Sequence, residues 1–189
     1  CDEILKTKDY PGEQKDITPE KLGNNRVYFL PYLMGERSPI NDTNARATFL
    51  GMSMDTTRSD MVQAVLEGVA FAIRDSFEVA KSLGIQIQRS KICGGGAKSP
   101  LWRQIFANVL NLPLDIPQTE EGPGYGGAML AMVGCGLYPS VKDCANALVS
   151  VRETVLPDPA IAARYEKQYR HFQEIYPALK PLFAKLQEQ

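Results

Sequence analysis

The sequence predicts a domain of the α/β class, and three observations carry that prediction. Short β-branched or apolar runs alternate along the chain with longer stretches of helical periodicity. The segment from Thr57 to Leu83 repeats apolar residues at steps of three and four, the mark of a helix with one buried stripe. In KICGGGAKSPLW, residues 91–102, an apolar run stops at three consecutive glycines and a helix-competent segment begins shortly afterwards. The composition agrees, since 189 residues with 44% hydrophobic and 23% charged have the length for a substantial core in one good-sized domain or two small ones.

Taken in order, Cys1 to Asn25 is polar, with turn signals at Asp9-Tyr10-Pro11-Gly12 and Thr18-Pro19-Glu20, and is expected to be an irregular lead-in (1–25) to a domain spanning 26–189. A start without a strand of its own suggests a chain cut from something longer. Arg26 to Leu33, RVYFLPYL, has the β-branched and aromatic content of a short strand, with Pro31 marking an edge or an end. A polar loop then leads to a second short apolar stretch, Ala47 to Met54. In the long helix, Met61, Val62, Val65, Leu66, Val69, Ile73, Phe77 and Ala80 form the apolar stripe, while Asp60, Glu67, Arg74 and Lys81 fall seven apart on the opposite face. Thr57 with Asp60 resembles a capping box, Gly84 sits where a C-terminal cap belongs, and Gly68 in mid-helix predicts another backbone packed closely against it.

Ile85 to Cys93 reads as the strand entering the glycines. Ser99 to Leu110 reads as an amphipathic helix with Leu101, Trp102, Ile105, Phe106, Val109 and Leu110 inward, followed by a short strand at Leu112 to Ile116. Residues 122–136, GPGYGGAMLAMVGCG, suggest a small-residue helix that approaches its neighbours closely, and Val141 to Val149 a further short helix. Asp158-Pro159 opens a last helix, in which Tyr165, Tyr169, Phe172, Tyr176, Leu179 and Phe183 keep the helical pattern and Pro177 and Pro181 predict kinks.

Several functional classes are disfavoured. Lys plus Arg is 21 against Asp plus Glu at 22, so a net charge of -1 gives no sequence-wide attraction to nucleic acid or an anionic membrane. No apolar run approaches the ~20 residues of a membrane span, and Cys1 to Tyr10 lacks the pattern of a signal peptide. A soluble cytoplasmic protein with reduced thiols is expected. Cys1, Cys93, Cys135 and Cys144 form no CxxC pair, and Cys93 is expected to be a small core residue. The single histidine, His171, leaves no histidine pair for a metal and no plausible Ser-His-Asp triad, and reads as a surface residue. Ala97 rather than glycine precedes Lys98-Ser99, which removes a P-loop. Gly122, Gly124 and Gly127 fit GxGxxG, but the nearest strand ends at Ile116 and no acidic residue follows at the expected spacing, so tight helix packing accounts for them better than a dinucleotide fold.

The triple glycine leaves two readings open. Without Cβ atoms on one side of the backbone, the turn can take positive φ and admit a phosphate or nucleoside to its amides, beside the positive end of the helix that follows. Alternatively, it is only a tight strand-to-helix connection.

At this point the sequence resembles a known family. ATFLGM, residues 47–52, followed by Asp60-Met61, Ala64-Val65-Leu66 and Glu67, fits the second signature of the FGGY carbohydrate kinases position by position. YFLPYLMGERSP (28–39), ICGGGAKSPLWRQIFANVL (92–110) and EGPGYGGAMLA (121–131) are similar to its xylulokinase branch, and the similarity runs from about Val27 to near the C-terminus. Three blocks in the right order are far more specific than one glycine cluster. The resemblance implies the C-terminal half of a sugar kinase of two actin-like (ribonuclease H-like) domains, with ATP and magnesium in the cleft between them. It implies that the catalytic aspartate, most sugar contacts and the first strands of the second domain lie outside this sequence. The chain would then hold no catalytic residue and no metal ligand. Its partners would be a small-molecule sugar and its own N-terminal domain, with homodimerisation through the surface left by the absent strands as a further expectation.

Residue by residue, the resemblance implies that Gly94, Gly95 and Gly96 face the ATP phosphates and adenosine and that Ala97 and Ser99 begin the wall beside the adenine. Pro100 departs from the asparagine that glycerol kinases place near the base, so the adenine contacts are not carried over, and GYGG at 124–127 departs from the ALGA of many relatives, which reads as packing with Tyr125 lining the nucleotide cleft as the alternative. Glu36 and Arg37 are expected to brace their loop, Glu67 to be structural and Trp102 to be core. D-Xylulose is the implied substrate. Kinases for ribulose, gluconate or fuculose, and a non-catalytic protein-interaction module, remain as alternatives.

Overall fold

The computed structural model describes residues 8–119 and 122–186, which places Cys1 and Glu121 outside the described residues. Two small sheets are held together by three helices. β1 (Tyr28–Leu30) and β2 (Thr48–Leu50) pair antiparallel, with Phe29 opposite Phe49. β3 (Ser90–Lys91), β4 (Leu114–Pro117) and β5 (Val151–Val155) form the second sheet in that order, β3 parallel and β5 antiparallel to β4.

The long helix α2 (Arg58–Ser82) forms where the periodicity predicts it. Thr57 and Asp60 make a reciprocal capping box, Thr57 N–H donating to Asp60 Oδ2 at 2.9 Å and Asp60 N–H to Thr57 Oγ1 at 3.2 Å. Gly84, with φ of 83°, lies just beyond the C-cap. The close backbone predicted at Gly68 is β1, because a Cβ there would overlap the Phe29 carbonyl oxygen. The buried face is wider than the apolar stripe. Gln63, Ala64, Leu66, Glu67, Gly68, Ala70 and Phe71 are buried, whereas Ile73 is 41% exposed. Ala64 packs on Val27 and Phe29 of the hairpin side, and Phe71 enters the main core on the other.

That core lies between α2, α3 (Pro100–Leu110) and α6 (Pro159–Leu186). From α6, the rings of Tyr165, Tyr169 and Phe172 surround Phe71 at centroid distances of 5.9, 6.0 and 5.2 Å. From α3, Ile105, Phe106, Val109 and Leu110 are buried, with Leu101 and Trp102 partly so. Asn111, at φ of 50° and ψ of 47°, ends α3 in the left-handed region that Asn tolerates. Asp158 Oδ1 caps α6 by accepting from Ala160 N–H and Ile161 N–H, and the helix runs on through Pro177 and Pro181.

Several expectations are corrected. The lead-in is not wholly irregular. Tyr10–Gln14 forms a short helix, α1, and Ile17 and Leu22 are buried in the main core. The strand expected over Ile85 to Cys93 shrinks to two residues, because β4 is its sole strand neighbour among the described residues and Pro113, just before β4, has no N–H to offer. β5 lies in a segment for which no element was expected; its β-branched Val151, Thr154 and Val155 were the available signal. Cys93 is exposed rather than core. The helix α4 (Gly122–Gly134) buries none of its residues, and a Cβ at Gly124, Gly126, Gly127 or Gly134 would meet nothing within 4 Å, so close helix packing does not explain those glycines here. It is followed by α5 (Val141–Leu148). Glu67 is 2% exposed rather than on a polar face, because Gly23 of the lead-in and Tyr165 of α6 close over it and both donate to its carboxylate. No helix among the described residues is long and apolar enough to cross a membrane.

Candidate functional site

The glycine turn is built from both sides. After β3, Ile92 N–H donates to Asp115 C=O of β4 at 3.1 Å, which fixes the last paired residue before the chain leaves the sheet. Gly94 follows with φ of 88° and ψ of -176°, a conformation essentially confined to glycine. Gly95–Lys98 then makes one 3₁₀ turn, tied by Ala97 N–H to Gly94 C=O at 3.1 Å and by Ser99 N–H to Gly96 C=O at 3.2 Å. The amides of Gly95 and Gly96 precede the first of these bonds, like the leading N–H groups of any helix.

Ser99 joins the turn to α3 as its N-cap. Its Oγ accepts from Trp102 N–H at 3.1 Å and donates to Gln14 Oε1 of α1 at 2.6 Å. Beneath the turn, the Trp102 indole occupies the space a Gly96 Cβ would need, and its Nε1–H donates to the Leu66 carbonyl of α2 at 3.0 Å. A Cβ at Gly94 or Gly95 would meet nothing within 4 Å. Among the described residues, one face of the turn is therefore sealed by an aromatic ring and the other is open. Across it, a Cβ at Gly122, the first residue of α4, would stand 3.1 Å from Cys93 Sγ, so the second glycine-rich segment begins beside the strand exit.

The residues singled out from the sequence are thus divided. Gly94 and Gly95 line the open face; Ala97 is 8% exposed, and the Ser99 hydroxyl is engaged on both sides. Tyr125 donates its hydroxyl to Leu148 C=O of α5 at 2.9 Å and so braces α4. Glu36 accepts from Ser38 N–H at 3.1 Å, and its backbone pairs with Asp42. Arg37 is exposed, and His171 sits on the surface with its Nδ1 3.1 Å from the Tyr28 hydroxyl. Among the described residues, no three His, Cys, Asp or Glu converge. What the turn offers is main-chain N–H groups and bare backbone, suited to an anion rather than to nucleophilic or acid–base chemistry. Two supports of the turn, Gln14 and the Leu66 carbonyl, carry no local sequence signal, since they lie in elements far from the glycines along the chain.

Glu67 stands apart from this site. Its Oε1 accepts from Gln63 Nε2 and the Tyr165 hydroxyl, both at 2.8 Å, and from Gly23 N–H at 3.5 Å. Burial outweighs these bonds and pushes its carboxyl up to about 7. It fastens the 21–25 loop and α6 to α2.

Known proteins resemble this chain over most of its length. Residues 7–135 match the C-terminal domain of the FGGY family of carbohydrate kinases. Xylulose kinase of Staphylococcus epidermidis is 36% identical over 166 residues, which cover 88% of this chain and 34% of that protein. Among solved structures, gluconate kinase of Lactobacillus acidophilus superposes with a TM-score of 0.79 at 29% identity, over 91% of this chain and 37% of its own. Xylulose kinase of the same organism gives 0.77 at 29%, over 87% and 34%. The chain spans about a third of the length of these relatives. With an actin-like ATPase domain in the fold and the family's C-terminal match over more than half its length, the chain belongs to the FGGY family of carbohydrate kinases.

Proposed function

We propose that the chain is the nucleotide-side part of a cytoplasmic xylulokinase, which transfers the γ-phosphoryl group of ATP to D-xylulose and releases ADP and D-xylulose 5-phosphate. The open face of Gly94 and Gly95 is the observation that carries this reading. Phosphoryl transfer needs positioning and charge stabilisation more than a reactive side chain, and bare amides at a turn before a helix supply both to a phosphate. In this reading Gly94, Gly95 and Gly96 approach the phosphates and ribose, while buried Ala97 and the capping Ser99 back the wall beside the adenine. Magnesium arrives with ATP as part of the substrate, and the proton acceptor for the sugar hydroxyl belongs to the other domain. The names of the relatives support a pentulose; the superposition on a gluconate kinase favours a second reading, in which the same fold serves another sugar.

Gly95→Val tests the nucleotide assignment most directly. Its side chain would project into open space, so folding should be retained while the approach of ATP is blocked. In the full-length enzyme, KM for ATP should rise by about 100-fold and KM for the sugar should stay within about twofold. Gly96→Val should act in the same direction but also displaces the turn from Trp102. Unchanged ATP kinetics in Gly95→Val would return the glycines to a connecting role. Comparing kcat/KM for D-xylulose, D-ribulose, D-gluconate and L-fuculose decides the sugar, with D-xylulose expected to lead.

A further inference from the structure

We propose that Trp102 is a positioning residue for nucleotide binding: its indole holds the glycine turn in the geometry that presents its amides, and α2 fixes the indole. The inference rests on the nucleotide reading above and adds a residue whose expected role was only to fill the core. Among the described residues, no atom lies within 4 Å of where a Cβ of Gly94 or Gly95 would stand, so no side-chain packing supports the backbone there. The support comes from the opposite face, where the ring fills the place of a Gly96 side chain. A tryptophan free to turn would be a poor support. This one is fixed, because Nε1–H donates to Leu66 C=O at 3.0 Å, its own N–H donates to Ser99 Oγ at 3.1 Å, and its ring packs on Phe106 at a centroid distance of 5.6 Å. Leu66 is 8% exposed and lies in the most deeply buried part of α2. The turn is thereby referenced to a 25-residue helix of the core rather than to its own loop. Ser99 adds a second tie through Gln14, which joins α1 to the same corner.

Main-chain amides bind a phosphate well only when they already point at it, since aligning them on binding costs conformational entropy. Trp102→Ala should therefore loosen the turn and weaken ATP without touching the sugar. The test uses the full-length enzyme, with the dissociation constant for ATP by calorimetry, KM for ATP and sugar, and the thermal midpoint measured together. Trp102→Ala is expected to weaken ATP about tenfold with sugar KM unchanged, and Trp102→Phe, which keeps a ring under Gly96, to recover most of that loss. Gly96→Ala should weaken ATP in the parent, because its methyl strikes the indole, and cost nothing further in the Trp102→Ala background. If Gly95→Val weakens ATP while Trp102→Ala binds it like the parent, the positioning role is overturned and the nucleotide reading stands. If neither variant affects ATP, the nucleotide reading falls and this inference with it. Should Trp102→Ala fail to fold, the cycle of Gly96→Ala with Trp102→Phe decides: a smaller loss in the Phe background supports the role, and equal losses in both refute it.

Discussion

At Glu67, burial and hydrogen bonding pull in opposite directions. Three donors, from Gln63, Tyr165 and Gly23, favour the carboxylate, yet desolvation by burial dominates. The carboxyl therefore titrates near about 7 in the folded chain, against 4.5 as its ordinary value. The folded state holds the proton more tightly than the unfolded one, so stability from this group is full below about 4.5 and is lost as pH rises towards and through about 7. The difference is on the order of 3 kcal/mol. Glu67→Gln keeps an acceptor for the three donors and cannot ionise. Urea denaturation should show the variant gaining stability of that order at pH 8 and nearly none at pH 4.5; an equal difference at both pH values would place the carboxyl's titration elsewhere. The FGGY signature identifies Glu67 in the sequence. Its burial was not legible, because seven-residue spacing aligned it with Asp60 and Lys81, and a helix wheel does not show which neighbour crosses its middle.

Helix α2 was read almost completely from local signals. The capping box, the boundary at Gly84 and the close approach at Gly68 depend on residues within a few positions of one another, and each is present. Gly68→Ala brings local preference and packing into conflict. Alanine should gain about 1 kcal/mol in helix propensity, yet its methyl would overlap the Phe29 carbonyl oxygen, part of a backbone that β2 holds on its other side. Packing should win, with net destabilisation of about 1–3 kcal/mol by chemical denaturation and separation of α2 from the hairpin. A stabilised variant would show that the hairpin moves aside freely. Elements whose form depends on distant partners were less legible. The segment before the glycines has the composition of a longer strand than it forms, since strand length is set by the neighbour and β4 begins only opposite Ser90. The glycines of α4 looked like packing residues because small residues usually are; what stands against a helix face is a long-range fact.

For the molecule as a whole, the turn at the triple glycine was legible because the requirement is local: absent Cβ atoms, a strand exit and a helix start. Its supports were not, as Gln14 and Leu66 reach the turn only through the tertiary fold. The same distinction governs activity. The described residues present the glycine turn with one face open and α4 with its apolar Leu130 60% exposed, and the chain spans 34% of its Staphylococcus relative. Amides that face water gain little from a phosphate, because each new bond replaces one to solvent; a closing second domain would remove that water and make the bonds count. Transfer rather than hydrolysis of ATP also requires the sugar hydroxyl and its base to be held opposite the γ-phosphate. The 189-residue chain prepared alone is therefore expected to bind ATP weakly and to phosphorylate no D-xylulose. Trp102, its only tryptophan, lies under the turn and provides the readout, with a small emission change on titration with ATP that Gly95→Val abolishes. A coupled assay for ADP should remain at background with chain, ATP and sugar together; sugar-dependent ADP release by the pure chain would overturn the assignment of the proton acceptor to the other domain.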